Sequence, residues 1–319
     1  MLRRYSLTMS NETTGEPTNP EHKKLKYLPT RLAIHVIRFI GRRDHNTLLT
    51  IGRVLGFCAF HLAGRRRKVA ATNIKLCFPE LTAIEQKQLL RQTIFENVMG
   101  LIETARAWVG DLEDIQRRVI VEGDEHLHEA IAQGRGVLLV GAHYTTLDLG
   151  AAMMRMIAPM VVGYTPNKNP VFDQFMRDGR RRLSENAIDR NNMRGLVKVL
   201  KKGGVLWYAP DQDYGKDHSV FAPFFDVPAA SVRMTPKLAT LNNSAVVITS
   251  THREPDDQHY RIRFSPIVEN YPTGDDVADA ARINSLLETE IRRSPAQYMW
   301  VHRRFKTTPE GQTSRYAES

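Results

Sequence analysis

Cysteine is scarce. The 319 residues contain two, Cys58 and Cys77. Both fall in apolar stretches and neither belongs to a metal-type cluster. They read as reduced core residues of a cytosol-facing protein, not as a disulfide framework or a zinc site. No H-E-x-x-H pair is present and no metal is expected; no other cofactor is called for either. No G-x-S-x-G elbow occurs, which disfavours a covalent serine intermediate. Zinc-finger spacing and an aromatic RNP pattern are missing, so a nucleic-acid-binding protein has no motif to support it. An uninterrupted apolar run of about 18 to 20 residues, the length that spans a bilayer, is also lacking. The two best candidates are broken by charge: Leu28–Ile40 by Arg31, His35 and Arg38, and Leu48–Leu62 by Arg53 and His61. Residues 1–26 are polar and lack the apolar region of a signal peptide, so they read as a disordered lead.

What is present is an ordinary globular composition, 42% apolar and 25% charged, in a chain long enough for one large or two modest domains. Lys and Arg outnumber Asp and Glu by 45 to 35, a formal charge of +10, which draws the chain to anionic partners. Residues 27–110 read as an N-terminal helical, membrane-associating region. Arg31, His35, Arg38 and Arg42 recur at steps of four, three and four, one helical face, while Leu28, Leu32, Val36, Phe39 and Ile40 cover much of the rest. That pattern suits a helix lying at a lipid interface with its arginines reaching phosphates. A helix docked on the core with a solvated basic edge is the competing reading. In the second segment Gly52 and Gly56 permit close helix packing, and the run Arg65-Arg66-Arg67-Lys68 behind it reads as an anionic-lipid contact, with a nuclear-type signal or a plain solvated run as the competing readings. Thr82-Ala83-Ile84-Glu85 is a capping box opening a helix expected to cover one face of a sheet.

Residues 111–319 alternate helix and strand, which predicts an α/β fold with a central, largely parallel sheet flanked by helices and an antiparallel portion. Expected strands are Gly136–Gly141, Val161–Tyr164, Val205–Tyr208, Ala245–Thr251 and Tyr260–Phe264. Expected helices include Asp124–Gln133, Asp148–Ile157, Pro170–Leu183, Asn192–Lys202, Ser231–Leu241 and Asp276–Arg293.

His143 through Asp148 follows the apolar strand Val137–Val140. Strand ends are where α/β proteins place their chemistry. An imidazole with a nearby carboxylate suits a base that takes a proton from a hydroxyl, the acid fixing the tautomer. Residues five apart do not meet on a regular helix, so His143 is expected in the loop and Asp148 in the first helical turn. Thr145–Asp148 reads equally as a capping box. Asp211 and Asp213, after the strand ending at Tyr208, can orient a basic side chain, bind a cation or simply form an Asx turn. Arg177, Arg180, Arg181, Arg182 and Arg190 suit phosphate or carboxylate binding, or form a solvated basic face.

Five stretches carry a resemblance to a known family: Asn73–Glu80, Gly141–Asp148, Gly163–Asn167, Trp207–Gly215 and Gln297–Lys306. Together they make residues 65–316 resemble the lipid A biosynthesis lauroyltransferases, the late acyltransferases that act on Kdo(2)-lipid IV(A). The resemblance implies acyl transfer, lauroyl in the first instance, from acyl carrier protein to a hydroxyl of the lipid A precursor. It implies His143 as general base and Asp148 as its orienting partner. Loops carrying Arg177, Arg180, Arg182, Arg190, Tyr208, Asp211 and Asp213 would border the cleft. It also implies an N-terminal anchor at the cytoplasmic face of the inner membrane, although the helix here is charge-interrupted. An acidic carrier protein and an anionic lipid would both suit the basic surface. Other acyl acceptors, and thioester hydrolysis, share the same base and stay open.

Overall fold

The structure is a computed structural model that describes residues 24–184 and 186–316. The lead expected over residues 1–26 falls almost wholly outside the described residues. Four helices come first: α1 (Leu28–Gly41), α2 (His45–Leu62), α3 (Gly64–Cys77) and α4 (Ala83–Val109). Local chemistry sets their ends. Pro29 sits in the first turn of α1, where its missing N–H costs nothing. The Asp44 carboxylate caps α2 by accepting from the Thr47 amide. The expected capping box opens α4, with Thr82 and Glu85 satisfying each other's backbone N–H groups.

Glycines let α1 and α2 lie close on α4. A Cβ at Gly41 would meet the Ala105 carbonyl oxygen at 2.4 Å, and one at Gly52 would meet the Met99 sulfur at 2.0 Å. Gly56 faces the Phe95 ring in the same way. The expected close packing at Gly52 and Gly56 is therefore made, onto α4.

The apolar stripe of α1 faces outward. Leu28, Leu32, Val36 and Phe39 are all at least half exposed, and Phe57 and Leu62 of α2 extend the patch. Cys58 is exposed as well, which corrects its expected core position, whereas Cys77 is buried. Among the described residues no single helix is long and apolar enough to cross a membrane. Helices α2 and α3 reach that length and composition only together, across a bend of 88°. Helix α3 also buries Val69, Ala70, Asn73 and Ile74 in the core.

The second half builds a seven-stranded sheet in the order β1-β9-β8-β2-β5-β3-β4. Its strands are β1 (Val119–Glu122), β2 (Val137–Val140), β3 (Val161–Tyr164), β4 (Asn186–Asp189), β5 (Val205–Tyr208), β8 (Ala245–Arg253) and β9 (Tyr260–Phe264). Strands β8, β2, β5, β3 and β4 run parallel, and β9 turns back antiparallel to β8. β6 (Ser219–Phe224) and β7 (Val227–Val232) form a separate hairpin. β7 takes the first two residues of the helix expected over Ser231–Leu241, and the helix itself, α10, runs from Met234 to Leu241.

The remaining helices are α5 (Leu112–Gln116), α6 (Asp124–Ala132), α7 (Leu147–Met154), α8 (Pro170–Arg181), α9 (Met193–Lys201) and α11 (Asp276–Arg293). β2 is buried along its whole length, as a central parallel strand requires. Its side chains alternate between two cores, Leu138 and Val140 to one, Val137 and Leu139 to the other.

Candidate active site

β2 and β5 are parallel neighbours in register, with Val140 beside Tyr208. Three residues beyond each, His143 and Asp211 meet. The Asp211 carboxylate accepts from the His143 backbone N–H through Oδ2 at 2.9 Å and pairs with Nδ1 through Oδ1 at 2.6 Å. A carboxylate only accepts, so Nδ1 carries a hydrogen, and in the neutral ring this leaves the lone pair on Nε2. The Asp211 side chain is 1% exposed and His143 19%. Burial alone would raise the Asp211 carboxyl, but the His143 charge and both hydrogen bonds outweigh it and hold the group at about 2.

This arrangement corrects the expected pair. Asp148 lies in the first turn of α7, as anticipated, but its carboxylate takes Arg180, Nε to Oδ1 at 2.9 Å and the terminal nitrogen to Oδ2 at 3.4 Å. The expected cap also differs: Thr146 is the N-cap but its side chain does not cap the helix, and its hydroxyl donates to the Thr251 carbonyl instead.

The C-terminal segment closes the site. The Thr145 amide donates to the Gln297 carbonyl at 2.8 Å, and the Met299 amide to the His143 carbonyl at 3.0 Å. Gln297 in turn brackets the backbone of Arg253 with both ends of its side-chain amide. Asn73 of α3, fully buried, donates to the carbonyls of Trp300 and His302. The His302 ring stands 6.1 Å from the His143 ring and Trp207 6.2 Å from it, centre to centre. Arg66 donates to the Val301 carbonyl, which brings the basic run of α3 to this edge.

The other expected binding residues divide. Arg180 lines a narrow apolar cavity of about 70 Å³ together with Asp148, Tyr144, Met154, Met160 and Trp207. Arg182 instead holds the end of α4, donating to the carbonyls of Trp108 and Gly110. Arg177 stays on α8 with Gln174 and Asp173, and Arg181 pairs with Asp178. Arg190 lies over the Tyr214 ring. Tyr208 is largely buried, and that burial pushes its phenol up. Asp213 is spent on structure, accepting from the Thr307 amide and hydroxyl and the Gly215 amide. Arg304, not among the expected binding residues, is buried against Ala230, Ser231 and Phe224.

The sequence allowed Asp211 to orient a basic side chain but did not pair it with His143, and His302, Gln297 and Asn73 were passed over as site residues. Asn73 and the 297–302 stretch lay within the recognised segments, but their meeting depends on contacts more than 200 residues apart.

The set suits base catalysis on a hydroxyl: an imidazole with a fixed tautomer, a free Nε2, an apolar cavity alongside and cations at the rim.

The sequence model described as bacterial lipid A biosynthesis acyltransferase matches residues 16–307. The chain is 40% identical over 293 residues to the lipid A biosynthesis lauroyltransferase of Escherichia coli (strain K12), covering 91% of this chain and 95% of that protein. It is 37% identical over 292 residues to the palmitoleoyltransferase of the same organism, with the same two coverages. Its identity to the myristoyltransferase of that organism is 26% over 264 residues, 82% of each chain.

Proposed function

The chain belongs to the bacterial lipid A biosynthesis acyltransferase family and is an acyltransferase, and on that premise we propose that it moves a fatty acyl chain from acyl carrier protein to a hydroxyl of a lipid A precursor by direct transfer. The His143–Asp211 pair carries this reading. His143 Nε2 takes the hydroxyl proton as the oxygen attacks the thioester carbon. The tetrahedral intermediate collapses, the thiolate leaves, and it takes the same proton back from Nε2. Base catalysis of this kind contributes about 10² to 10⁴ in rate.

The acyl chain enters the apolar cavity beside Tyr144. At about 70 Å³ the cavity holds only part of such a chain, so Met154 and Met160, unbranched and adaptable, yield as it enters. Lauroyl is the donor expected from the 40% identical relative. The exposed stripe of α1 and the end of α2 lie on anionic lipid at the cytoplasmic face of the inner membrane, which brings the cleft to an acceptor embedded there. Arg66 and Arg190, at the rim, meet the phosphates of that acceptor.

The test is to incubate purified protein with carrier proteins bearing different acyl chains and the tetra-acylated precursor, and to weigh the products. One added acyl group on the lipid is expected, at least 10²-fold slower with His143→Ala. Free fatty acid formed without the lipid would make the protein a hydrolase, and near-normal turnover by His143→Ala would remove His143 as the base.

A further inference from the structure

We propose that His302 donates its ring N–H to the thioester carbonyl oxygen as that oxygen takes up negative charge. The inference rests on the acyl-transfer reading above and adds to it the group that stabilises the oxyanion.

The reaction needs such a donor. Attack on the carbonyl carbon moves an electron pair onto its oxygen, and fixed donors there supply a large share of catalysis. The loop bearing His143 has few to offer. The amide of His143 is given to Asp211. The amide of Tyr144 goes to the Ala142 carbonyl and that of Thr145 to the Gln297 carbonyl. Across the cleft the Met299 amide is given to the His143 carbonyl. The Arg180 fork is engaged by Asp148. A side chain beside the base can serve instead.

Two rings flank the base. Trp207 turns its Nε1 toward the end of β2, so close that a Cβ at Gly141 would sit 2.9 Å away. His302 has no side-chain hydrogen bond among the described residues, and its ring centre stands 6.1 Å from that of His143. That spacing fits the reaction. The attacking hydroxyl lies about 3 Å from Nε2, and the carbonyl carbon about 3 Å from the hydroxyl. The oxygen on that carbon then comes within hydrogen-bond reach of a ring about 6 Å off.

His302 is also held still. Its amide donates to the Met299 carbonyl, and its own carbonyl accepts from the Arg304 amide and from Asn73. Burial, with the charges of His143 and Arg66, moves its imidazole below the ordinary range against the opposing pull of Asp211, and so favours the neutral ring. A neutral ring still has one N–H to give, and it does not repel the imidazolium that His143 becomes.

In full, the hydroxyl proton passes to His143 Nε2, the new O–C bond forms, and the carbonyl pair moves to oxygen against the His302 N–H. The pair then returns, the C–S bond breaks, and the thiolate leaves with the proton from His143. His302 neither gains nor loses a proton.

The experiment compares His302→Ala, His302→Leu and His302→Asn in the full chain with acyl carrier protein thioester and tetra-acylated precursor, measuring kcat, both KM values and the thermal midpoint. His302→Ala and His302→Leu are expected to lower kcat by about 10² with both KM values within threefold. His302→Asn, whose carboxamide keeps an N–H, should recover at least tenfold over His302→Leu, with all three midpoints similar. An Asn variant no faster than Leu, or a kcat near the parent's in Leu or Ala, overturns the inference. So does a loss confined to KM. His143→Ala, run alongside, separates the two claims. If it stays active the base reading fails. If it is dead while the His302 variants turn over normally, only the donor is wrong.

Discussion

Replacing Asp211 by Asn tests the site most sharply, because the two amino acids have the same shape and differ in what each end can do. One carboxylate oxygen accepts the His143 amide at 2.9 Å, the other faces Nδ1 at 2.6 Å. Asn offers one oxygen and one NH₂. The backbone amide can only donate, so the oxygen must stay opposite it and the NH₂ must face Nδ1. Two donors cannot share a hydrogen bond. The ring therefore presents a bare Nδ1 and moves its hydrogen to Nε2, the atom that has to accept the hydroxyl proton. The expected loss in kcat is most of the base contribution, about 10² to 10⁴. The expected change in stability is smaller. Holding the carboxyl at about 2, below its ordinary 3.8, corresponds to about 2 kcal/mol. That share is present above pH 3.8 and is lost as pH falls through the folded value. The assay is steady-state transfer, paired with nitrogen-15 NMR of the His143 ring. Asp148→Asn serves as the comparison, since it loosens Arg180 and leaves the tautomer as in the parent. An Asp211→Asn variant with the parent tautomer and a kcat within threefold would refute the reasoning.

Further outcomes are expected at the helix contacts, at a buried acid and on the lipid-facing surface. Gly100→Ala should slow transfer tenfold or more, because the new Cβ would lie 2.5 Å from the carbonyl oxygen of Thr145, two residues from His143. Gly52→Ala meets only the flexible end of Met99 and should lower the thermal midpoint with kcat unchanged. Glu103 is fully buried beside Arg253 (3.5 Å), and burial, against that charge, pushes its carboxyl up to about 7. Folded protein then holds a proton that unfolded chain releases, so stability should fall as pH rises from about 4.5 to about 7, by roughly 3 kcal/mol. Glu103→Gln should flatten that slope in denaturant titrations. Replacing Leu32, Phe39 and Phe57 by Ser should cut binding to anionic vesicles by more than tenfold, since each buried apolar side chain contributes about 1.5 to 3 kcal/mol. Replacing Arg31, Arg38 and Arg42 by Glu should weaken it too. Unchanged pelleting in both sets would remove the lipid-facing reading of α1.

The sheet was legible where its strands are central. Val137–Val140 reads as buried because both faces are covered, and β3, β5 and β9 have the ends expected of them. The edge strands β1 and β4 are four residues each and only partly buried: β1 offers just the short run Val119–Val121, and β4 has polar residues at both ends. The β6–β7 hairpin hid its turn. Phe225 and Asp226 take positive φ values of 50° and 59° where Asn-Gly is the usual signal. The imidazole was legible too, as a histidine at the end of a strand. Its partner was not. Asp148 stood close in sequence and took the role on that ground, whereas Asp211 lies 68 residues away. What unites it with His143 is the pairing of β2 with β5, which strand composition does not disclose.

The amino-terminal helices have a consequence for how this enzyme can be handled. Gly41, Gly52 and Gly56 seat α1 and α2 on α4. His45 and Arg53 of α2 also reach Asp257, at the β8–β9 turn, which bonds Arg253 as well. Helix α4 then rests, through Gly100, on the loop that bears the base. These helices are a foundation and not a leash. Cutting them away to obtain a tractable fragment would take out the support beneath the base-bearing loop, and a shift of α4 at Gly100 would reach that loop directly.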